Sequence, residues 1–270
     1  MTGHVFDTAV SLSPGAGEGV WLGQTSAAYG NMIGPFGGLT AAQALNAVLL
    51  HPKRLGDPIA LTVNFAAALS DGPFTVSARP ARTNRSTQHW VIEMQQASET
   101  VLTATAFFGL RRDTWSKVEH TMPEVPAPAD VAQSAGMARV EWVKRYEMRF
   151  IEGSIPTGWD GKDQGTSRTR LWVRDSPPRA IDFASLTGLS DIFFPRVWRR
   201  RPLLVPIGTV SMTVYFHADL ALLQATGTGY LLGQTQAQAF RNGFFDQTAQ
   251  LWNEAGELLV TTHQVVYYKE

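Results

Sequence analysis

The sequence predicts an α+β protein in which one structural unit, a buried helix followed by an antiparallel sheet, occurs twice. Residues 39–50 are rich in Ala and Leu on all sides, which is typical of a buried helix. Four strand-like segments with β-branched and aromatic residues follow, and the second half of the chain shows a similar order. Short matching peptides link the two halves. A unit of half the chain length that occurs twice indicates an internal duplication.

The first half opens with two predicted strands, residues 4–11 and 18–26, on either side of a turn. A glycine-rich run at residues 34–38 (GPFGG) leads into the predicted helix, which ends before Pro52 because the residue preceding a proline disfavours helical geometry. Strands are then predicted at about 59–69, 72–83, 86–97 and 100–111, with Ser70, Asp71 and Gly72 forming the first turn.

The second half repeats this order after a break. Proline and alanine interrupt the periodicity at residues 119–140, which predicts a linker between an N-terminal unit (1–118) and a C-terminal unit (141–270). The C-terminal unit has predicted strands at about 144–152 and 168–175 and a helix at 181–193. Four further strands are predicted at about 207–218, 228–239, 242–253 and 257–269. Residues 62–65 (TVNF) match residues 213–216 (TVYF), as expected for a duplication.

The composition excludes several classes of protein. The 270 residues are 44% hydrophobic, enough for a sizeable core, and the 23 Lys and Arg residues balance 23 Asp and Glu residues, which argues against a dedicated nucleic-acid binder. The chain has no cysteine, which excludes disulfides, a Cys nucleophile and thiolate metal sites. No signal-peptide pattern and no apolar run of roughly 20 residues is present, so we expect a cytoplasmic protein without a membrane partner.

One carboxylate stands in an apolar stretch, residues 189–195 (LSDIFFP). Burying Asp191 among Leu, Ile and two Phe residues is costly unless its desolvation is compensated. Asp191 is therefore either a surface or capping residue, or a charge held at the edge of an apolar pocket. The surrounding residues alone leave both interpretations open.

Several segments resemble the type II acyl-CoA thioesterase family. They are residues 189–195, 209–217 (TVSMTVYFH), 240–247 (FRNGFFDQ) and 261–267 (TTHQVVY) in the second half, and residues 34–38 and 42–45 (AQAL) in the first. The resemblance implies a double hotdog fold, two tandem units that each wrap an antiparallel β-sheet around a long central helix. It also implies a hydrolase of fatty acid metabolism that converts acyl-CoA and water into a carboxylic acid and free coenzyme A.

In that family an Asp, a Thr or Ser, and a Gln converge on the attacking water, and by motif position these are Asp191, Thr209 and Gln264. The resemblance implies no metal and no cofactor, since coenzyme A is part of the substrate. The chain departs from the family at Ser211 and Met212, where an Asp-His pair is common, and this departure leaves the substrate preference open.

Three further residues are candidates for contacts with the substrate. Gly37 and Gly38 offer backbone N–H groups for an oxyanion hole without a Cβ to block close approach. Arg200, within a run of three arginines, could bind the phosphates of coenzyme A, although a solvated loop is an equal alternative. Because exposed sheet edges in such folds are often covered by a second chain, we expect a homo-oligomer, a dimer or a tetramer.

The first half lacks the three polar residues. The positions that correspond to Asp191 and Thr209 hold Ala44 and Pro58, and Gln264 corresponds to Phe107 or, after a one-residue slip, to Ala106. None of these side chains can orient a water molecule, so we expect one active site per chain, in the second half.

Structural explanations of the candidates remain open. Thr209 could be a strand residue chosen for β propensity, and Gln264 could point to solvent with His263 inward. A second hypothesis for the function is a non-catalytic acyl-CoA or fatty-acyl binding module on the same scaffold. A hotdog hydratase is a third, disfavoured because its Asp/His helix motif is not visible.

Overall fold

The computed structural model describes residues 3–134 and 140–270. The α-helices of these residues are α1 (Val5–Val10), α2 (Gly37–Leu49), α3 (Phe183–Leu189), α4 (Arg196–Arg200) and α5 (Leu220–Thr226). The strands are β1 (Ser13–Pro14), β2 (Val20–Gln24), β3 (Asp57–Phe65), β4 (Pro73–Thr83), β5 (Thr87–Gln96), β6 (Glu99–Gly109), β7 (Tyr146–Glu152), β8 (Thr169–Asp175), β9 (Ile207–Phe216), β10 (Leu231–Gln236), β11 (Phe240–Arg241), β12 (Phe244–Asn253) and β13 (Leu258–Tyr268).

These strands form one large antiparallel sheet. Its order is β1-β2-β4-β5-β6-β3-β9-β13-β12-β10-β8-β7, and the short β11 pairs with β12 at the side. Read outward from the β3–β9 pair, the two halves follow the same order: β3 and β9 come first, then β6 and β13, β5 and β12, β4 and β10. The topology therefore repeats, as the matching peptides predict.

The two halves meet where β3 pairs with β9. Thr62 lies opposite Thr213, 151 residues further along the chain, and the two hydroxyl groups are hydrogen-bonded at 3.1 Å. On either side, Ala60 faces Tyr215 and Asn64 faces Ser211. Ala60 and Ser211 hold equivalent positions in the two halves, and so do Asn64 and Tyr215. Exchanging the halves therefore converts one pair into the other, and a local two-fold axis passes through the threonine pair.

The helix α2 is buried on most of its surface, as its apolar composition predicts. It packs against α3, and Gly38 lies close to Gly188: a Cβ on Gly38 would lie 2.6 Å from the Gly188 carbonyl oxygen. Only glycine permits this distance. The close contact brings the start of α2 to the end of α3, where the second half carries Asp191.

Residues 4–11 were expected to form a strand, and this prediction is wrong. Residues 5–10 form the helix α1, whose side chains Phe6, Ala9 and Val10 are buried. The last carbonyl groups of α1 are satisfied by α2: the Gln43 amide donates to the carbonyl oxygen of Ala9 at 2.8 Å, and Asn46 donates to that of Val10 at 2.9 Å. These partners are distant in sequence, so local alternation could not reveal the helix.

The helix predicted at 181–193 is shorter in the structure. It begins after the cap Asp182 and ends at Leu189, and the Ser190 hydroxyl donates to the carbonyl oxygen of Leu186 at 2.8 Å. A turn then leads to α4, a helix that the sequence analysis missed, as it did α5. Asp191 consequently lies in the turn after the central helix and not within it.

Part of the predicted linker packs against the second half of the protein. The indole N–H of Trp172 donates to the carbonyl oxygen of Pro126 at 2.8 Å, and that of Trp252 donates to His120 at 3.3 Å. Residues 135–139 of the predicted linker lie outside the described residues. In the part of the chain that the structure describes, no helix is long and apolar enough to cross a membrane.

Candidate active site

Asp191 and Gln264 are in direct contact. Gln264 lies on the inner face of β13, is 2% exposed, and its amide nitrogen donates to Oδ1 of Asp191 at 2.8 Å. The neighbouring His263 points outward and contacts Asp246 at 3.2 Å. The alternative in which Gln264 faces solvent and His263 faces inward is therefore wrong.

The two side chains border a cavity of about 110 Å³. Its wall is mainly aromatic and aliphatic, and it includes Phe36, Trp142, Phe150, Phe193, Phe194, Trp198, Ile207 and Val266. Asn31, Met32 and Phe36 come from the first half of the chain, whereas Asp191, Thr209 and Gln264 come from the second. The cavity thus lies where the two halves meet.

Thr209 lies near the start of β9, opposite Val266 of β13, and borders the same cavity as Asp191 and Gln264. Asp191 and Thr209 also border a second space of about 300 Å³, which is lined by Gly37, Phe65 and other residues of the first half. The two spaces share Asp191 and Thr209, so a molecule that occupies both would pass these two side chains.

Burial changes the acidity of Asp191. Desolvation of the carboxylate raises the pKa of Asp191 to about 7, although the hydrogen bond from Gln264 and the backbone N–H of Gly38 act in the opposite direction. A carboxylate with a pKa near neutrality can accept a proton and later release it at the same pH. Such a group is suited to general acid–base chemistry.

Gly37 and Gly38 stand at the N-terminus of α2, facing Asp191. The backbone N–H of Gly38 interacts with the carboxylate, and a Cβ on Gly37 would lie 2.9 Å from Oδ2 of Asp191. The positive end of the helix dipole therefore stabilises the ionised form of Asp191. Gly37 borders the second space, so its N–H is the better placed of the two for a substrate oxygen.

The structure does not bring Arg200 together with Asp191. The Arg200 guanidinium forms an ion pair with Asp163 at 2.8 Å. It lines a separate groove with Arg201 and Tyr268, away from the aromatic cavity. Arg200 does not line the cavity that Asp191 and Gln264 border, and phosphate binding by Arg200 stays a prediction.

Two residues at the cavity were missed by the sequence analysis. Gln247 lines the cavity beside Gln264, and Arg196 lies behind Gln247 with no exposed surface. The alternation of β12 carried a signal, since Phe245, Gln247, Ala249 and Leu251 are buried at every second position of that strand. Arg196 gave no signal, because it begins a segment that contains three further arginines.

The first half has no matching polar site. Leu61 faces Ala106 across β3 and β6, as Met212 faces Gln264 across β9 and β13, so Ala106 is the counterpart of Gln264 and Phe107 is not. Ala44 is fully buried in α2. Ala44 and Ala106 therefore give Asp191 and Gln264 no polar counterpart among the described residues of the first half.

Family models match both halves of the chain. Residues 26–109 match the model of the acyl-CoA thioesterase N-terminal domain, and residues 119–268 match that of the C-terminal domain. No curated protein sequence is significantly similar to the chain.

Solved structures extend the similarity over the whole chain. A hotdog-fold protein of unknown function from Alicyclobacillus acidocaldarius is 47% identical over 100% of this chain and 99% of its own, with a TM-score of 0.93. A candidate thioesterase II from Thermobifida fusca is 18% identical over 99% and 98% of the chains, with a TM-score of 0.83. An acyl-CoA thioesterase II from Mycobacterium marinum is 15% identical over 98% of both chains, with a TM-score of 0.77.

Proposed function

Because the chain belongs to the acyl-CoA thioesterase family, we propose that it hydrolyses acyl-CoA to a free carboxylic acid and coenzyme A. We take its two halves to be tandem hotdog units, with the active site in the second. The observation that carries the proposal is the 2.8 Å hydrogen bond between Gln264 and Asp191 in the wall of an apolar cavity that Thr209 also borders.

The proposed nucleophile is a water molecule held by these three side chains. The Gln264 amide donates through its nitrogen to Asp191, which leaves its oxygen to accept one proton of the water. Asp191 accepts the other, and the Thr209 hydroxyl donates to a lone pair of the water oxygen. The remaining lone pair is then free to attack the thioester carbonyl carbon.

Proton transfer completes the reaction. As the water attacks, its proton passes to Asp191 and a tetrahedral oxyanion forms, for which the N–H of Gly37 is the candidate donor. When the carbon–sulfur bond breaks, the proton on Asp191 passes to the thiolate. The products are a carboxylic acid and free coenzyme A, and Asp191 is regenerated as a carboxylate. No metal takes part in this scheme.

The two spaces that meet at Asp191 give the substrate its orientation. The acyl group occupies the aromatic cavity and the pantetheine arm occupies the second space, so the thioester lies between Asp191 and Thr209. A water-sized group needs roughly 10–15 Å³ of cavity volume. The cavity of about 110 Å³ therefore accommodates roughly ten heavy atoms, and we expect short and medium acyl groups.

The test is thiol release from acyl-CoAs by variants of the triad. We expect Asp191→Asn to lower kcat/KM by about 100- to 10,000-fold, the usual contribution of a general base. Asp175→Asn is the matched control, because Asp175 is a buried acid of the same half with a pKa also raised to about 7, yet it does not line the cavity. Equal activity of Asp191→Asn and wild type would contradict the proposal.

A binding module would give a different result. If the wild-type protein binds acyl-CoA in calorimetry but releases no thiol, the non-catalytic alternative holds. If thiol is released, Gln264→Ala should reduce its release, whereas the outward-facing Gln250→Ala on β12 should leave it unchanged.

A further inference from the structure

The buried arginine beside the cavity has no acidic partner among the described residues. Arg196 has no exposed surface, and its guanidinium donates to the carbonyl oxygens of Phe194 and Ser167, to the Thr169 hydroxyl at 2.7 Å and to Gln247 at 3.1 Å. The Phe194 ring also lies 4.4 Å from its central carbon, and the neighbouring Arg199 repels it. A buried cation is costly, so its retention calls for an explanation.

One effect of Arg196 is to fix the orientation of Gln247. Because the arginine donates to the side-chain oxygen of Gln247, the amide nitrogen of Gln247 faces away from it. Gln247 is only 3% exposed and lines the cavity, and its amide nitrogen makes no hydrogen bond within residues 3–134 and 140–270. Hydrogen bonding to a cation also polarises the amide, which makes its N–H groups stronger donors.

The position of Gln247 relates this donor to the reacting atoms. Gln247 lies directly opposite Gln264 in the antiparallel register of β12 and β13, so their Cβ atoms are about 5 Å apart. Both side chains point to the inner face of the sheet. The donor of Gln247 is thus one strand away from the amide that holds the proposed water.

We propose that Gln247, oriented by Arg196, is a specificity residue that donates a hydrogen bond to an oxygen on the β-carbon of the acyl group. This inference deepens the proposed thioesterase function and rests on it. An oxygen on that carbon lies roughly 3–4 Å from the thioester carbonyl carbon, so a donor on the neighbouring strand, roughly 4.7–4.9 Å away, can reach it. The preferred substrates are then 3-hydroxyacyl or 3-oxoacyl thioesters.

The energetics favour this class over plain acyl chains. Apart from Gln264, the cavity wall near Gln247 is apolar, with Phe194, Trp198 and Val266. An alkyl chain seated there would leave the amide N–H of Gln247 dehydrated and unpaired, whereas a hydroxyl or keto oxygen would pair with it. Sites with such a donor reject the analogue that lacks the acceptor.

The experiment compares hexanoyl-CoA with 3-hydroxyhexanoyl-CoA, which differ by one oxygen. We expect wild-type kcat/KM to favour the hydroxylated thioester by about 10- to 100-fold. In Gln247→Met, which keeps the volume and removes the donor, the ratio should fall to about one. Gln250→Met, on the outward side of the same strand, should keep the wild-type ratio.

Two results would overturn the inference. One is a wild-type ratio of one or less, and the other is an equal loss on both thioesters in Gln247→Met, which would indicate an oxyanion donor or a packing role. If Gln247→Met does not fold, Gln247→Glu serves instead, because its carboxylate keeps an acceptor for Arg196 while the donor is lost.

Binding separates this inference from the proposed function. If neither thioester is hydrolysed, the thioesterase proposal fails. Calorimetry of the two thioesters on the Asp191→Asn variant, with and without Gln247→Met, still measures the preference. Tighter binding of the hydroxylated compound that depends on Gln247 supports the inference, and equal binding contradicts it.

Discussion

At the scale of single residues, Asp191 shows how burying a carboxylate, although costly, produces a group that can exchange protons near neutral pH. Its carboxylate lies in an apolar wall, yet it receives hydrogen bonds from Gln264 and from the start of α2. These donors compensate only part of the desolvation, and the pKa of Asp191 rises to about 7. The result is a carboxylate that can both accept and donate a proton near neutral pH.

The pH dependence of activity follows from this pKa. Asp191 must be ionised to accept the proton of the water, so we expect kcat/KM to rise with pH and to level off above an apparent pKa of about 7. The measurement is kcat/KM for one acyl-CoA between pH 5 and 9 (a range of roughly 2 units around that pKa). Asp175→Asn should leave the profile unchanged, and a flat profile in the wild type would contradict the role of Asp191.

The sequence pointed to three polar residues at the cavity but not to the residues behind them. Asp191, Thr209 and Gln264 were found through motifs, and the structure places all three at one cavity. The contact between Arg196 and Gln247 could not be found in this way, because it joins residues 51 positions apart. Arg200 drew attention through its neighbours, although a charge run is more often a surface feature.

At the scale of secondary-structure elements, the crossing of α2 and α3 explains why two glycines begin α2. Gly38 contacts the backbone of Gly188, and Gly37 faces Asp191. Both were predicted to serve an oxyanion hole, and this stays a prediction. The structure adds a distinct steric reason for each, packing for Gly38 and space for a carboxylate for Gly37.

Alanine substitutions should separate these two roles. A Cβ on Gly38 would meet the Gly188 carbonyl oxygen at 2.6 Å, so we expect Gly38→Ala to lower the free energy of unfolding by about 1–3 kcal/mol. A Cβ on Gly37 would displace the Asp191 carboxylate, so Gly37→Ala should lower kcat about 10- to 100-fold. Denaturant unfolding and thiol release measure the two effects, and an unstable but fully active Gly37→Ala would contradict this assignment.

The elements at the start of the chain show the limit of local patterns. Residues 5–10 form a helix because Gln43 and Asn46 of α2 bind its last carbonyl groups. A short apolar segment is compatible with the spacing of apolar residues in a helix and in a strand. The choice between helix and strand depends here on hydrogen-bond partners that lie more than 30 positions away.

At the scale of the whole molecule, one sheet joins both halves. The core of the second half contains a second buried acid, Asp175. Asp175 is 3% exposed, and its Oδ1 has no hydrogen-bond partner within the described residues. Burial raises the pKa of Asp175 to about 7 from an ordinary value of 3.8. The folded protein therefore binds a proton at Asp175 more tightly than the unfolded chain does.

Stability should decrease as the pH rises because of this group. Between pH 3.8 and about 7 the folded state retains a proton that the unfolded state loses, so stability from Asp175 is present at low pH and lost across this window. We expect Asp175→Asn to raise the free energy of unfolding at pH 8 by on the order of 1–3 kcal/mol, and by much less at pH 4. Urea unfolding of both proteins at each pH is the measurement.

Comparing Asp175→Asn with the wild type at each pH separates the effect of Asp175 on stability from that of the other titrating groups. Burial lowers the pKa of His51 and of His217, so these histidines destabilise the folded state as the pH falls, the opposite direction. Their contribution cancels in the difference between the two proteins. An equal effect of Asp175→Asn at both pH values would contradict the assignment.

The sequence by itself determined the duplicated helix-and-sheet unit, most of the strands and the family. These features are encoded in periodicity and in contiguous motifs, which a single chain displays directly. Tertiary structure decided the rest: the helix at residues 5–10, the end of α3 before Asp191, and the Arg196–Gln247 contact. It also decided the strand register, which makes Ala106 the first-half equivalent of Gln264. Each of these depends on hydrogen-bond partners or on close approach between distant segments, and no local pattern specifies which distant group will meet which.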